Sequence, residues 1–100
     1  MKRYEGKRKT SVVIVTVDGR PLNPRRDLWN HSPTGFEWGY AESGPAQLAL
    51  ALLADCLGDD EAAVEGHHDF KDAVVVGLSF AGWTLTEEEI RETLEELENP

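Results

Sequence analysis

The stretch Asn30-His31-Ser32-Pro33-Thr34, with Glu37 and Trp38 just beyond it, gathers an imidazole, a carboxylate and hydroxyls in one loop. General acid–base chemistry needs such groups within hydrogen-bond reach of one another and of a substrate. A small enzyme using His31 and Glu37 is therefore one reading. The plainer reading is that Asn30, Ser32 and Thr34 bond local backbone in turns, as these residue types usually do. Spacing within a loop assigns no catalytic residue. His67-His68-Asp69 is the second group of interest, because imidazole and carboxylate both bind zinc. Adjacent histidines on a helix point about 100° apart, and helical zinc motifs place theirs at i and i+4. A shared ion would need His31 as a distant third ligand, so neither a metal site nor a cofactor is expected. Ser43-Gly44-Pro45, at a helix start, could hold an anion on free backbone N–H groups. That makes the 30–45 loop the basis of a small-molecule or anion-binding reading, although Pro45 removes a donor and no P-loop lysine is present. Cys56 lies in an apolar run and reads as a small core residue.

The elements that position these groups can be read in outline. Ser11 to Val17 is rich in β-branched residues and ends at the turn dipeptide Asp18-Gly19, which marks a strand. Both of its faces are apolar enough to suggest cover on both sides. A first strand near Lys2–Lys9 pairs with it, and Arg20-Pro21 can add a short edge segment. Phe36, Trp38 and Tyr40 alternate, which suggests a further short strand at Gly35–Tyr40. The most apolar helix follows, with Gly44 as N-cap, Pro45 at the first helical position and Gln47 reaching back to the cap. It runs to Leu57, with Gly58 as the left-handed residue that ends it. A second helix is capped by Asp59 or Asp60 and extends to about Leu78, and Gly77–Trp83 is a loop or short strand. The third starts at a capping box, Thr86 with Glu89, and carries Ile90, Leu94 and Leu97 on a narrow apolar stripe. The expected fold is α+β: a small antiparallel β-sheet of two or three strands packed against two or three α-helices, as a single domain over residues 1–100.

Charge bounds the partners. The formal net charge is −9, unevenly distributed. Residues 1–30 hold eight basic side chains against three acids, or +5; residues 31–100 hold two against sixteen, or −14. An acidic balance of this size argues against direct nucleic-acid binding. It suits a protein partner with a basic surface, met by Glu88, Glu92 and Glu95 on the last helix. The asymmetry also leaves room for a homo-oligomer paired head to tail. The plainer alternative is that the basic hairpin pairs with the acidic helices inside one molecule. The longest apolar run, Leu48 to Ala54, is far short of the ~20 residues of a membrane span. Without an apolar N-terminal segment and with one cysteine, the expectation is a cytoplasmic protein.

Three blocks resemble a known family. They are Val17-Asp18-Gly19-Arg20-Pro21-Leu22; Asn30-His31-Ser32-Pro33-Thr34-Gly35-Phe36-Glu37-Trp38-Gly39-Tyr40; and Ser43 through Leu53. Asp69-Phe70-Lys71 and Gly82-Trp83-Thr84-Leu85-Thr86 fit the same pattern. Together they are similar to a family of small prokaryotic proteins known as domain of unknown function 6166, over about residues 4 to 95. The Val74–Val76 run and His67-His68 depart from that pattern. The resemblance implies a shared fold and brings no activity, cofactor or site residue. From the residues themselves, the expected function is that of a non-enzymatic accessory protein that binds another macromolecule. Its candidate contact residues are Asn30, His31, Thr34, Glu37 and Trp38 in the loop, and Glu88, Glu92 and Glu95 on the acidic helix.

Overall fold

Two tight turns build the first sheet strands. β1 (Arg3–Lys9) and β2 (Val12–Val17) form an antiparallel hairpin in which Tyr4 faces Val17 and Lys7 faces Ile14. Asp18 and Gly19 both take positive φ, 50° and 82°, the hairpin-turn geometry that reverses the chain into β3 (Arg20–Pro21). The structure, a computed structural model, describes residues 1–99. Its sheet has four antiparallel strands in the order β3-β2-β1-β4, one more than the upper expectation. The added strand, β4 (Gly82–Thr86), pairs with β1 across the chain's full length, Tyr4 against Leu85 and Gly6 against Trp83. Gly6 is required there: a Cβ would come within 2.4 Å of the Trp83 indole.

One face of the sheet carries the core and the other meets solvent. Tyr4, Val15 and Val17 are buried, whereas Val12 and Ile14 are 55% and 43% exposed. The expectation of cover on both faces was wrong: alternation here follows a half-buried antiparallel strand, with β-branched residues tolerated outside. Against the inner face lies α1 (Ser43–Leu57), whose residues Gly44 to Ala54 are all buried. It starts two residues earlier than read, with Glu42 and not Gly44 at the N-cap, and has no side-chain cap. Gln47 does not reach back; it is used elsewhere, as shown below. Gly58 closes the helix in the left-handed conformation (φ 65°), its N–H bonding the Ala54 carbonyl.

Two further helices cover α1. α2 (Asp60–Ala73) begins at Asp59, whose carboxylate accepts the Ala62 N–H. It ends five residues short of Leu78, because Val74-Val75-Val76-Gly77 is a poor helical run and turns instead through a 3₁₀ segment, Val75–Gly77, that buries Val75. α3 (Glu87–Glu98) starts at the complete Thr86–Glu89 capping box. Residues 35–40 are not a strand. Gly35 and Gly39 have φ of 122° and 85°, which breaks the extended run. Trp38 is wholly buried with its indole N–H shared by the Ser79 and Phe80 carbonyls, and Tyr40 is exposed. Among the described residues, no helix is long and apolar enough to cross a membrane.

Candidate functional site

The acidic face follows from helical spacing alone. Glu88, Glu92 and Glu95 recur at i, i+4 and i+7 on α3, and all three are exposed. With Met1, Glu87 and Arg91 they line a shallow recess of about 380 Å³. Arg91 is committed at its other end, to the Glu87 carboxylate at 3.2 Å and the Cys56 carbonyl at 2.8 Å. The Lys2 backbone N–H and Arg91 hold the Glu87 carboxyl below its ordinary range. Three of the eight basic side chains in residues 1–30 are matched within the molecule: Lys2 to Asp55, Arg8 to Glu37, and Arg25 to Asp60.

The loop residues separate into two groups. Glu37 forms a two-pronged bond with the Arg8 guanidinium, at 2.6 and 3.0 Å. That partner holds its carboxyl well below the usual range, which suits an ion pair and not a proton donor. Arg8 in turn lies over the Phe80 and Trp38 rings, 3.7 and 4.8 Å from their centroids. Glu37, Trp38 and Arg8 therefore join the loop to β1 and to the segment before β4. The Glu37 side chain also covers the start of α1: a Cβ on Gly44 would lie 2.7 Å from the Glu37 Cβ. Asn30 and Thr34 are exposed, and Thr34 meets Ser32 through their hydroxyls at 3.4 Å.

His31 goes the other way. Gln47, fully buried on α1, takes the place of water for four backbone groups of this loop. Its Oε1 accepts from the N–H groups of His31 and Ser32, at 2.8 and 3.0 Å. Its Nε2 donates to the carbonyls of Pro24 and Trp29, at 2.6 and 3.0 Å. A buried polar side chain must find such partners, and here it fixes where the loop runs. The result sets His31 on α2. Its ring stacks on Trp29 (centroids 4.7 Å apart, planes 15° apart), and its Nε2 lies 2.9 Å from the His67 Nε2. His68 completes the group, its ring centroid 4.1 Å from that of His67 and 5.4 Å from that of His31. One ring nitrogen from each of the three histidines lies within 4.8 Å of the others.

Burial and charge set the state of these rings. His67 is wholly buried, and its Nδ1 lies 2.7 Å from the Val64 carbonyl. A carbonyl only accepts, so Nδ1 carries the hydrogen and the neutral ring leaves Nε2 as a lone pair. Burial lowers the pKa of both His31 and His67; repulsion from His67, His68 and Lys71 lowers that of His31 further, and repulsion from His68 and Lys71 adds to the lowering at His67. Both rings are thus held neutral near pH 7. The geometry gathers His31 with His67 and His68, and gives it and Glu37 separate partners.

The comparisons with known proteins bear on identity alone. A family model described as "Family of unknown function (DUF6166)" matches residues 4–96, nearly the whole chain. The chain belongs to this family. None of the curated proteins and none of the solved structures compared with the chain matches it. The family resemblance seen in the sequence thus holds, and it adds no activity to the geometry.

Sequence reasoning passed over two of the residues that matter here. Trp29 was assigned no role, and Gln47 only that of a capping group. A signal for Gln47 was present: apart from Asp55, it is the single polar residue between Ala46 and Leu57, and a lone polar group in a buried stretch must be satisfying something. Although adjacent on α2, His67 and His68 hold their ring centroids 4.1 Å apart, and the loop brings His31 beside both.

Proposed function

We infer that the protein acts by binding a macromolecule and not by catalysis, with the exposed acidic face of α3 as the contact surface and a partner protein with a basic surface as its complement. One observation carries the reading. Glu88, Glu92 and Glu95 are exposed on one helix face and, among the described residues, take part in no ion pair. In the basic N-terminal third, by contrast, Lys2, Arg8 and Arg25 are matched to carboxylates inside the molecule. This leaves uncompensated negative charge outward, which repels a phosphate backbone and draws a basic surface.

The other readings have less support. His31 and Glu37 face different partners, so they share no substrate position suited to acid–base work. An anion at the start of α1 would meet Glu37 and the exposed Glu42 there, and Gly44, Pro45 and Ala46 of the first turn are buried. We place the protein in the cytoplasm of a prokaryotic cell, a reading supported by its single, buried thiol at Cys56.

The test is a pull-down at low and high salt, comparing the native chain with the Glu88→Gln, Glu92→Gln, Glu95→Gln variant. Exposed charges are screened over about 8 Å at physiological ionic strength. Capture of a basic partner by the native chain at low salt, lost at high salt and lost in the variant, is expected. Equal capture by both chains at both salts would overturn the reading.

A further inference from the structure

We propose that His31, His67 and His68 form a binding site for a divalent transition-metal ion of the zinc class. The proposal goes beyond the acidic-face reading and does not depend on it.

The first argument is distance. A tetrahedral ion with Zn–N bonds of about 2.0–2.1 Å holds its ligand nitrogens about 3.3 Å apart. Here the His31 and His67 Nε2 atoms are 2.9 Å apart, and all three ligand nitrogens lie within 4.8 Å of one another. The ion would widen the first pair by a few tenths of an ångström. The larger adjustment falls to His68, which is exposed and free to change rotamer.

The second argument is orientation. Metal-binding histidines almost always donate their other ring N–H to a carbonyl or carboxylate, which fixes the tautomer and aims the lone pair. His67 already has this arrangement, with Nδ1–H on the Val64 carbonyl and Nε2 pointing at His31. In the metal-free protein the contact between the two Nε2 atoms is a hydrogen bond, so His31 supplies the hydrogen. Metal binding at the His31 Nε2 requires that ring to switch to its Nδ1–H tautomer, a proton move within one imidazole that leaves both rings neutral. His31 itself is held from two sides, by Trp29 stacking on its ring and by Gln47 on its backbone N–H.

The third argument is donor chemistry. Three imidazoles, with neither thiolate nor carboxylate in the group, suit Zn²⁺, Cu²⁺ and Ni²⁺ and do not suit Mg²⁺ or Ca²⁺. Three protein ligands leave a fourth position for water. Lys71 opposes the ion, since its charge acts on both His31 and His67, and its ammonium is paired with Asp72 at 3.5 Å.

The experiment is calorimetric titration of the untagged, metal-stripped chain with Zn²⁺ at pH 7.5, followed by Ni²⁺ with tryptophan emission as a second readout. One ion per chain is expected, with quenching by Ni²⁺ that disappears in Trp29→Phe. His31→Ala and His68→Ala should each weaken binding by more than ~10-fold, the lower bound for losing even an outer-shell partner. Both positions are at least partly exposed, so both variants should stay folded, which far-UV circular dichroism checks. The Glu88→Gln, Glu92→Gln, Glu95→Gln variant should bind Zn²⁺ as the native chain does. A folded native chain that takes up no Zn²⁺ at 1:1 would overturn the site. So would uptake that survives both histidine substitutions, or uptake lost in the glutamine variant.

Discussion

Glu88, Glu92 and Glu95 share one helix and one face, and nothing else in the molecule is needed to bring them together. His31 and His67 lie 36 positions apart, on a loop and a helix, and meet only because Gln47 pins the loop against α1. The acidic face is a property of periodicity; the imidazole group is a property of the fold. They also differ in energy. Exposed like charges contribute little to stability and act at a distance through a screenable field. The imidazole group lies partly in the core, where its polar atoms must be satisfied and where any ligand is held by short bonds. A surface of the first kind can change by substitution without touching the fold. One of the second kind cannot.

The largest separation of the two regions should come from Gln47→Leu. The substitution keeps the volume but strands two backbone N–H groups and two carbonyls in a buried setting, and each such group costs about 1–3 kcal/mol. Relaxation of the loop will recover part of this, so a loss of about 2–4 kcal/mol in chemical denaturation is expected. Resonances of residues 24–35 and His67 should move while those of α3 stay in place. A stable variant with an unmoved loop would show that Gln47 does not organise the site.

Acid should separate the regions next. His31 and His67 have folded pKa values lowered chiefly by burial, with repulsion from His67 acting next on His31 and from His68 and Lys71 on both. Unfolded, both would titrate near the ordinary value of about 6.5. Below that pH the unfolded chain binds more protons than the folded one, so stability falls as pH falls. The slope is at most about 1.4 kcal/mol per pH unit for each histidine, and it persists until the folded pKa is reached. On α3 the sign is the familiar carboxylate one: Glu87 has a lowered pKa, and its contribution is lost only at lower pH, beneath the ordinary carboxylate value near 4.3. Denaturation midpoints should therefore drop between pH 7 and 5.5, and His31→Ala should flatten that drop. A midpoint constant from pH 8 to 5 would contradict the buried neutral pair.

Thr86→Ala is the smallest of these effects and acts from the other side. It removes the hydroxyl that caps α3 on the Glu89 N–H, with a loss of about 0.5–2 kcal/mol expected. Thr86 also ends β4, against Arg3, so the variant should loosen the β4–α3 junction and leave the histidine resonances unchanged. An unaltered thermal midpoint would place the start of α3 elsewhere.

What the sequence made legible follows the same division. Signals carried by neighbours in the chain were readable: the Asp18-Gly19 turn, the Gly58 helix end, the Thr86–Glu89 box and the buried run from Ala46 to Ala54. The acidic face belongs with these. Signals set by distant partners were not. β4 is short and merges into the helix cap at Thr86, so it has no pattern of its own and is recognised only by its pairing with β1. The alternation at Phe36, Trp38 and Tyr40 imitates a strand, but Trp38 turns inward to the Ser79 and Phe80 carbonyls. His31 and His67 belong to this second class, since no local rule places a loop histidine against one on a helix 36 residues later.

The most direct test of the imidazole site is a long-range ¹H–¹⁵N spectrum of the histidine rings, recorded at pH 7.5 before and after one equivalent of Zn²⁺. Without the ion, His67 should show a protonated Nδ1 and a bare Nε2, and both His31 and His67 should be neutral. With it, one nitrogen of each of the three rings should shift together at 1:1 stoichiometry, and the amide signals of Glu88, Glu92 and Glu95 should not. Zinc that perturbs His68 alone, or that moves the α3 amides first, would contradict the account.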